Sequence, residues 1–201
     1  MMTESKIIRI FPEPVFKYKL VDFEKYNKEL SKYIYKLNEN DIEGMKKSNR
    51  GGWHSQNFNL RNVNSIQYKF GLKLQTYILD AFQNLGWKIQ NKNIKIKEMW
   101  AIINKKEDFN VVHTHPNCFL SAAYYVKTPK NCGKFELENL NLARRHAYPE
   151  IENINELNCE VTSIDISAGD LLLFPSYLPH KVESNKSNED RIVISFNIDC
   201  R

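Results

Sequence analysis

From Lys92 onward, apolar and polar positions alternate in short runs: IKIKEMWAIIN, FNVVHTH, FLSAAYYV, GKFELEN, CEVTSIDI, DLLLFP, HKVE and RIVISFNID. A period of two turns one face of a strand toward a core and the other outward, and turn-type residues separate the runs. Their number and spacing predict an antiparallel barrel or jelly roll. The N-terminal half has another rhythm. In VDFEKYNKELSKYIYKLNEN, residues Tyr26, Leu30, Tyr33, Ile34 and Leu37 recur at helical spacing and predict a surface helix. NSIQYKFGLKLQTYILDAFQNLG predicts a second, more apolar helix, ended around Asn84–Gly86. Before them, IIRIFPEPVFKYKL suggests short extended segments interrupted by Pro12 and Pro14. Between them, KKSNRGGWHSQNFNL is expected as a polar loop, with Gly51 and Gly52 allowing a tight backbone path. LNLARRHAYPEIENINEL, between two predicted strands, is a candidate lid or rim loop. The expected fold is mainly β with flanking helices: a cupin-like jelly-roll core over residues 92–201, supported by a strand and two helices within 1–91, as a single domain.

Composition narrows the function classes. At 201 residues, 42% of them hydrophobic, the chain is long enough for one sizeable core. The net charge of +5 is scattered, without a run dense enough to mark a nucleic-acid surface, so direct nucleic-acid binding is not expected. Cys118, Cys132, Cys159 and Cys200 lack the paired short spacing of a zinc knuckle or a disulfide framework. MMTESKIIRIF has no apolar signal core, and no apolar run approaches membrane-spanning length. A cytoplasmic protein with reduced thiols is expected, and a homodimer is compatible with this composition.

Candidate chemistry begins at HTHPNCFLSAAYYV. His113 and His115 are two residues apart, so on an extended strand both rings point to one face. A metal needs a third donor. In SAGDLLLFPSYLPHKVE a Gly-Asp turn leads into an apolar strand, a Pro corner and then His180. In a jelly roll that corner brings the later strand beside the earlier one. Arg191 follows eleven residues later and opens an otherwise apolar strand. An unpaired buried guanidinium is costly, so an anion is expected to meet it, and its planar fork suits a carboxylate.

This ordered set, a strand histidine pair, a distal histidine after Gly-Asp and an arginine beyond it, resembles the iron(II)- and 2-oxoglutarate-dependent oxygenases of the double-stranded β-helix superfamily. IIRIFPEPVF, SNRGGWHS, HTHPNCFLSAAYYV and SAGDLLLFPSYLPHKV followed by RIVISFN are similar to a small oxygenase group of bacteria and phages. The resemblance implies Fe(II), 2-oxoglutarate as co-substrate, ascorbate as a stimulant, and hydroxylation of a substrate with release of succinate and carbon dioxide. It implies that Arg191 grips the far carboxylate of 2-oxoglutarate. The superfamily has an acid where this chain has His115. Either His113, His115 and His180 form the ligand set, or His113 and His180 act with water or a distant acid: Asp108, Glu136 or Glu138.

Within LSAAYYV, Ser121, Ala123 and Tyr125 share one strand face, and Ser121 and Tyr125 are expected beside the co-substrate. Tyr124 takes that place if the facing slips by one residue. Trp53 and His54 are candidate substrate contacts, as is His146 with Arg144 and Arg145 for an anionic one. The competing functions are a cupin-like metal enzyme not using 2-oxoglutarate and a non-catalytic jelly-roll binding protein. The substrate stays open between a small molecule, a protein side chain and a nucleobase.

Overall fold

Eleven strands and two helices build the computed structural model, which describes residues 6–90, 93–141 and 149–200. In chain order they are β1 (Phe16–Lys19), α1 (Phe23–Asn40), β2 (Asn49–Arg50), β3 (Trp53–His54), α2 (Ile66–Asn84), β4 (Lys95–Asn104), β5 (Phe109–His113), β6 (Leu120–Lys127), β7 (Phe135–Glu138), β8 (Val161–Ile164), β9 (Asp170–Pro175), β10 (His180–Val182) and β11 (Arg191–Asp199). All pairings are antiparallel. One sheet has the order β1-β9-β6-β11-β4-β3 and the other β2-β5-β10-β7-β8. The predicted jelly roll with two supporting helices is what the chain forms.

Alternation along the larger sheet separates two interiors. Leu120, Ala122, Tyr124, Ile192, Ile194, Phe196, Met99, Ala101 and Ile103 turn outward, where α1 and α2 cover them with Leu30, Ile34, Phe70, Leu74, Ile78 and Phe82. The intervening residues, among them Ala123, Tyr125, Leu172, Phe174 and Val193, face the smaller sheet and its Phe135 and Leu137. α2 starts where the side chain of Ser65 accepts a hydrogen bond from the amide of Tyr68, satisfying one of the helix's free N–H groups. α1 is fastened to β6 through Asn27. Its amide donates to the carbonyl of Val126 at 2.8 Å, and its Oδ1 accepts from the hydroxyl of Tyr124 at 2.6 Å.

One expectation needs correction. The segment expected as a polar loop contains β2 and β3, which join different sheets: β2 pairs with β5, and β3 with β4. Gly51 and Gly52, with φ of 65° and 50°, make the crossover, a left-handed path that side chains with a Cβ resist. Two-residue strands are too short to show a period, so only their partners reveal them. β1, too, lies in the larger sheet, along β9. The N-terminal half thus supplies sheet edges as well as helices.

Candidate active site

The two sheets enclose a cavity of about 630 Å³, whose lining includes His113, His115, His180, Tyr125 and Arg191. His113 ends β5 and His180 opens β10, and the two are direct cross-strand partners. His115 lies just past β5, where its amide donates to the carbonyl of Ser176 at 2.9 Å, holding the strand extension in place. The ring centroids are 5.0 Å apart for His113 and His115, 4.3 Å for His113 and His180, and 5.1 Å for His115 and His180. One nitrogen from each lies within 4.8 Å of the others.

Backbone carbonyls orient two of these rings. Nδ1 of His113 meets the carbonyl of Val111 at 2.8 Å, and Nδ1 of His180 meets that of Leu178 at 2.8 Å. A carbonyl only accepts, so each Nδ1 carries the proton and each Nε2 keeps its lone pair. Burial pushes His180 down to about 3 and His115 to about 4, with neighbouring His113 adding to both, and burial lowers His113 as well. The cluster is therefore neutral at physiological pH, the state in which imidazole binds a metal.

The acids weighed as substitutes lie elsewhere. Asp108 accepts from the amide of Lys105 at 2.7 Å, in the turn between β4 and β5. Glu136 pairs with Lys181 at 3.2 Å and accepts from the hydroxyl of Ser163 at 2.9 Å. Glu136 and Glu138 alternate with buried Phe135 and Leu137, which places both on the outer face of β7.

Arg191 is fully buried, at 0% exposure. Its Nη1 donates to the carbonyls of Cys132 and Glu183, while Nε and Nη2 are buried without a partner. Gly133 makes room for it: a Cβ there would come within 2.9 Å of Nη1 and 2.5 Å of the Glu183 carbonyl. Burial lowers the pKa of Arg191. Tyr125 is interior, packed with Phe135, Phe174 and Val193, and burial raises its phenol. Tyr124 points the other way, to Asn27, so the facing does not slip. Ser121 shares the face of Tyr125, but its hydroxyl donates to Asn197 at 2.9 Å. In register, Tyr125 stands beside Val193 and Ser121 beside Asn197, at the end of β11 remote from Arg191.

Trp53 is a packed residue whose indole donates to the carbonyl of Asp41 at 2.6 Å. His54 lines the cavity and stacks on Trp100, with centroids 5.5 Å apart and planes 11° apart; Trp100 in turn lies 5.7 Å from His115. Arg144, Arg145 and His146 fall outside the described residues. Sequence reasoning missed the inner row of β4, Glu98, Trp100, Ile102 and Asn104. Asn104 is the cross-strand partner of Arg191, and its buried Nδ2 lacks a partner, as does Nε1 of Trp100. The signal was faint: Glu98, Trp100 and Asn104 share one face of the strand, but Ile102 interrupts the row.

Residues 98–197 match a family model described as "Putative 2OG-Fe(II) oxygenase". No curated protein matches the sequence. Among solved structures, the chain is similar to a Pseudomonas putida prolyl-4-hydroxylase, with a TM-score of 0.67, 13% identity and 94% of each chain covered. It is also similar to HygX from Streptomyces hygroscopicus with nickel and 2-oxoglutarate bound, with a TM-score of 0.65, 11% identity, and 93% of this chain and 83% of that one covered. A Trichoplax adhaerens prolyl hydroxylase in complex with a hypoxia inducible factor peptide fragment has a TM-score of 0.60 and 15% identity, covering 92% of this chain and 83% of that one. At these identities the likeness is one of fold.

Proposed function

The chain belongs to the iron(II)- and 2-oxoglutarate-dependent oxygenases, and from that premise we propose that it hydroxylates its substrate at an iron held by His113, His115 and His180. The observation that carries this reading is Arg191: a buried guanidinium with two unpartnered nitrogens, Nε and Nη2, in the same cavity as the three histidines. A buried charge left half-paired is expensive, and a carboxylate is the anion whose geometry matches the fork. The residues therefore fit both groups the family uses. Three neutral imidazoles suit ferrous iron. With no carboxylate among them, the site is one charge more positive than a two-histidine, one-acid set, which favours a dianion.

Each side chain then has a task. Nε2 of His113 and of His180, aimed by the carbonyls behind their rings, would coordinate the iron together with His115. Arg191 would bind the far carboxylate of 2-oxoglutarate, with Asn104 opposite it as a second donor and Tyr125 alongside. Ala123 and Val193 leave the width for a carbon chain. Phe135 and Phe174, whose rings lie 5.5 and 4.7 Å from His180, would shield that side of a bound metal from water. Bound iron supplies oxygen activation and 2-oxoglutarate the electrons, leaving as succinate and carbon dioxide. The protein's part is to position the groups and keep the reaction dry. The cupin-like alternative gives Arg191 no partner.

Succinate formation by the purified protein with Fe(II), 2-oxoglutarate and ascorbate tests the reading. Slow iron-dependent turnover is expected even without substrate. Absence of both succinate and an anaerobic charge-transfer band with 2-oxoglutarate would refute it.

A further inference from the structure

The cavity has a second polar end. Along the facing rows of β4 and β11, the pairs are Asn104 with Arg191, Ile102 with Val193, Trp100 with Ser195, and Glu98 with Asn197. At about 3.3 Å per residue, Glu98 stands roughly 20 Å along the strand from the Arg191 end. Trp100, the neighbour of His115, lies between them. The metal ligands thus share a cavity with a carboxylate, Glu98, and a cation, Arg191, well separated along β4 and β11, and with Lys47.

Glu98 is the one carboxylate lining the cavity among the described residues. It is half-buried and accepts from Nδ2 of Asn197 at 3.3 Å. Asn197 is itself buried, and its Oδ1 accepts from the hydroxyl of Ser121 at 2.9 Å. The Glu98 carboxylate can only accept, so the NH₂ of Asn197 faces it and the Ser121 hydroxyl donates to the remaining Oδ1. Side chains from β6, β11 and β4 thereby hold one carboxylate in place on the cavity wall. Glu98 forms no ion pair among the described residues. Its neighbour Lys97 is directed away, donating to the carbonyl of Asn117.

A carboxylate partly withdrawn from water favours a cation with N–H donors. The indole of Trp100, two residues along on the same face, adds the aromatic surface that attracts such cations. An anionic co-substrate is drawn to Arg191, too far from Glu98 to feel its charge strongly, which leaves the Glu98 end free. Resting on the oxygenase reading, we propose that the substrate carries an ammonium or guanidinium group and that Glu98, set by Asn197 and Ser121, recognises it. Ser121 then belongs to the substrate end rather than the co-substrate end.

The test uses the protein with zinc in place of iron and 2-oxoglutarate bound. The probes are the Nα-acetyl amides of arginine and lysine, compared with those of citrulline and norleucine, by saturation-transfer NMR. The cationic probes should bind roughly tenfold tighter than their neutral counterparts, the scale of one partly buried charge pair. Glu98→Gln, nearly isosteric, should erase that ratio while 2-oxoglutarate affinity and the melting temperature stay unchanged. Ser121→Ala, which frees the Asn197 amide, should reduce the ratio severalfold. A ratio near one in the wild type, or an unaltered ratio in Glu98→Gln, overturns the proposal alone. Failure of the wild type to bind 2-oxoglutarate overturns the oxygenase reading and this inference with it.

Discussion

Replacing Arg191 with methionine should separate binding from stability, weakening the first while leaving the second nearly unchanged. In the free protein the guanidinium makes two hydrogen bonds, to the carbonyls of Cys132 and Glu183, and leaves Nε and Nη2 buried and unpartnered. Methionine removes the buried charge and its desolvation penalty, which is worth several kcal/mol in protein interiors. It also leaves two carbonyls without donors, at about 1–3 kcal/mol each. These contributions nearly cancel, so the melting temperature of the free protein should change little. Binding has no such compensation. Loss of a buried, hydrogen-bonded charge partner costs roughly 2–5 kcal/mol, which is about 30-fold to several thousand-fold in 2-oxoglutarate affinity. Lysine should recover part of it, because a point charge cannot reproduce the fork. The assay is an anaerobic titration followed through the charge-transfer band of the ferrous complex, paired with thermal melts with and without 2-oxoglutarate. Iron content should be unchanged, since Arg191 is not among the clustered metal donors. If Arg191→Met binds 2-oxoglutarate as the wild type does, the reasoning about its unpartnered donors is wrong. If instead the free protein collapses, Arg191 is a structural clamp between the segments around Cys132 and Glu183.

His180→Ala should abolish iron binding, and His115→Ala should weaken it by at least the 10–100-fold typical of outer metal contacts; anaerobic iron titration measures both, and wild-type affinity in His115→Ala would leave a two-histidine site. Asn27→Ala should destabilise the fold by about 2–4 kcal/mol, because it orphans the Val126 carbonyl and the Tyr124 hydroxyl together; urea unfolding checks this, and activity of the folded fraction should be retained. Asp170 provides a pH test. Burial pushes its carboxyl up, yet hydrogen bonds from Lys19, the Ser167 amide, Lys17 and the Ser167 hydroxyl outweigh it and hold it below the usual carboxylate range. A depressed folded pKa contributes stability that is complete above the unfolded value of about 3.9 and is lost as pH falls through the folded one. Stability should therefore decline below about pH 4, and Asp170→Asn should flatten that part of the pH–stability curve.

Local signals determined a large share of this protein. Strand alternation and helical spacing are short-range physics, so the jelly roll and its two helices were legible along the chain. The spacing of His113 and His115 was enough to put both rings on one face, because pleat geometry depends on nearest neighbours alone. Alternation also placed Tyr125 inside and Tyr124 outside. Other features depend on which strand lies opposite. β2 and β3 are too short to carry a pattern and exist only through their pairing with β5 and β4. The partnership of His180 with His113 follows from cross-strand register, sixty-seven residues apart in the chain. Ser121 looked equivalent to Tyr125 in sequence, yet the β6–β11 register sets it beside Asn197, at the opposite end from Arg191. Glu98, within β4, and Asn104, at its end, read as ordinary polar residues of a strand. Their placement at the two ends of one cavity, facing Asn197 and Arg191, arises from antiparallel pairing with β11, a contact that no local stretch of sequence encodes.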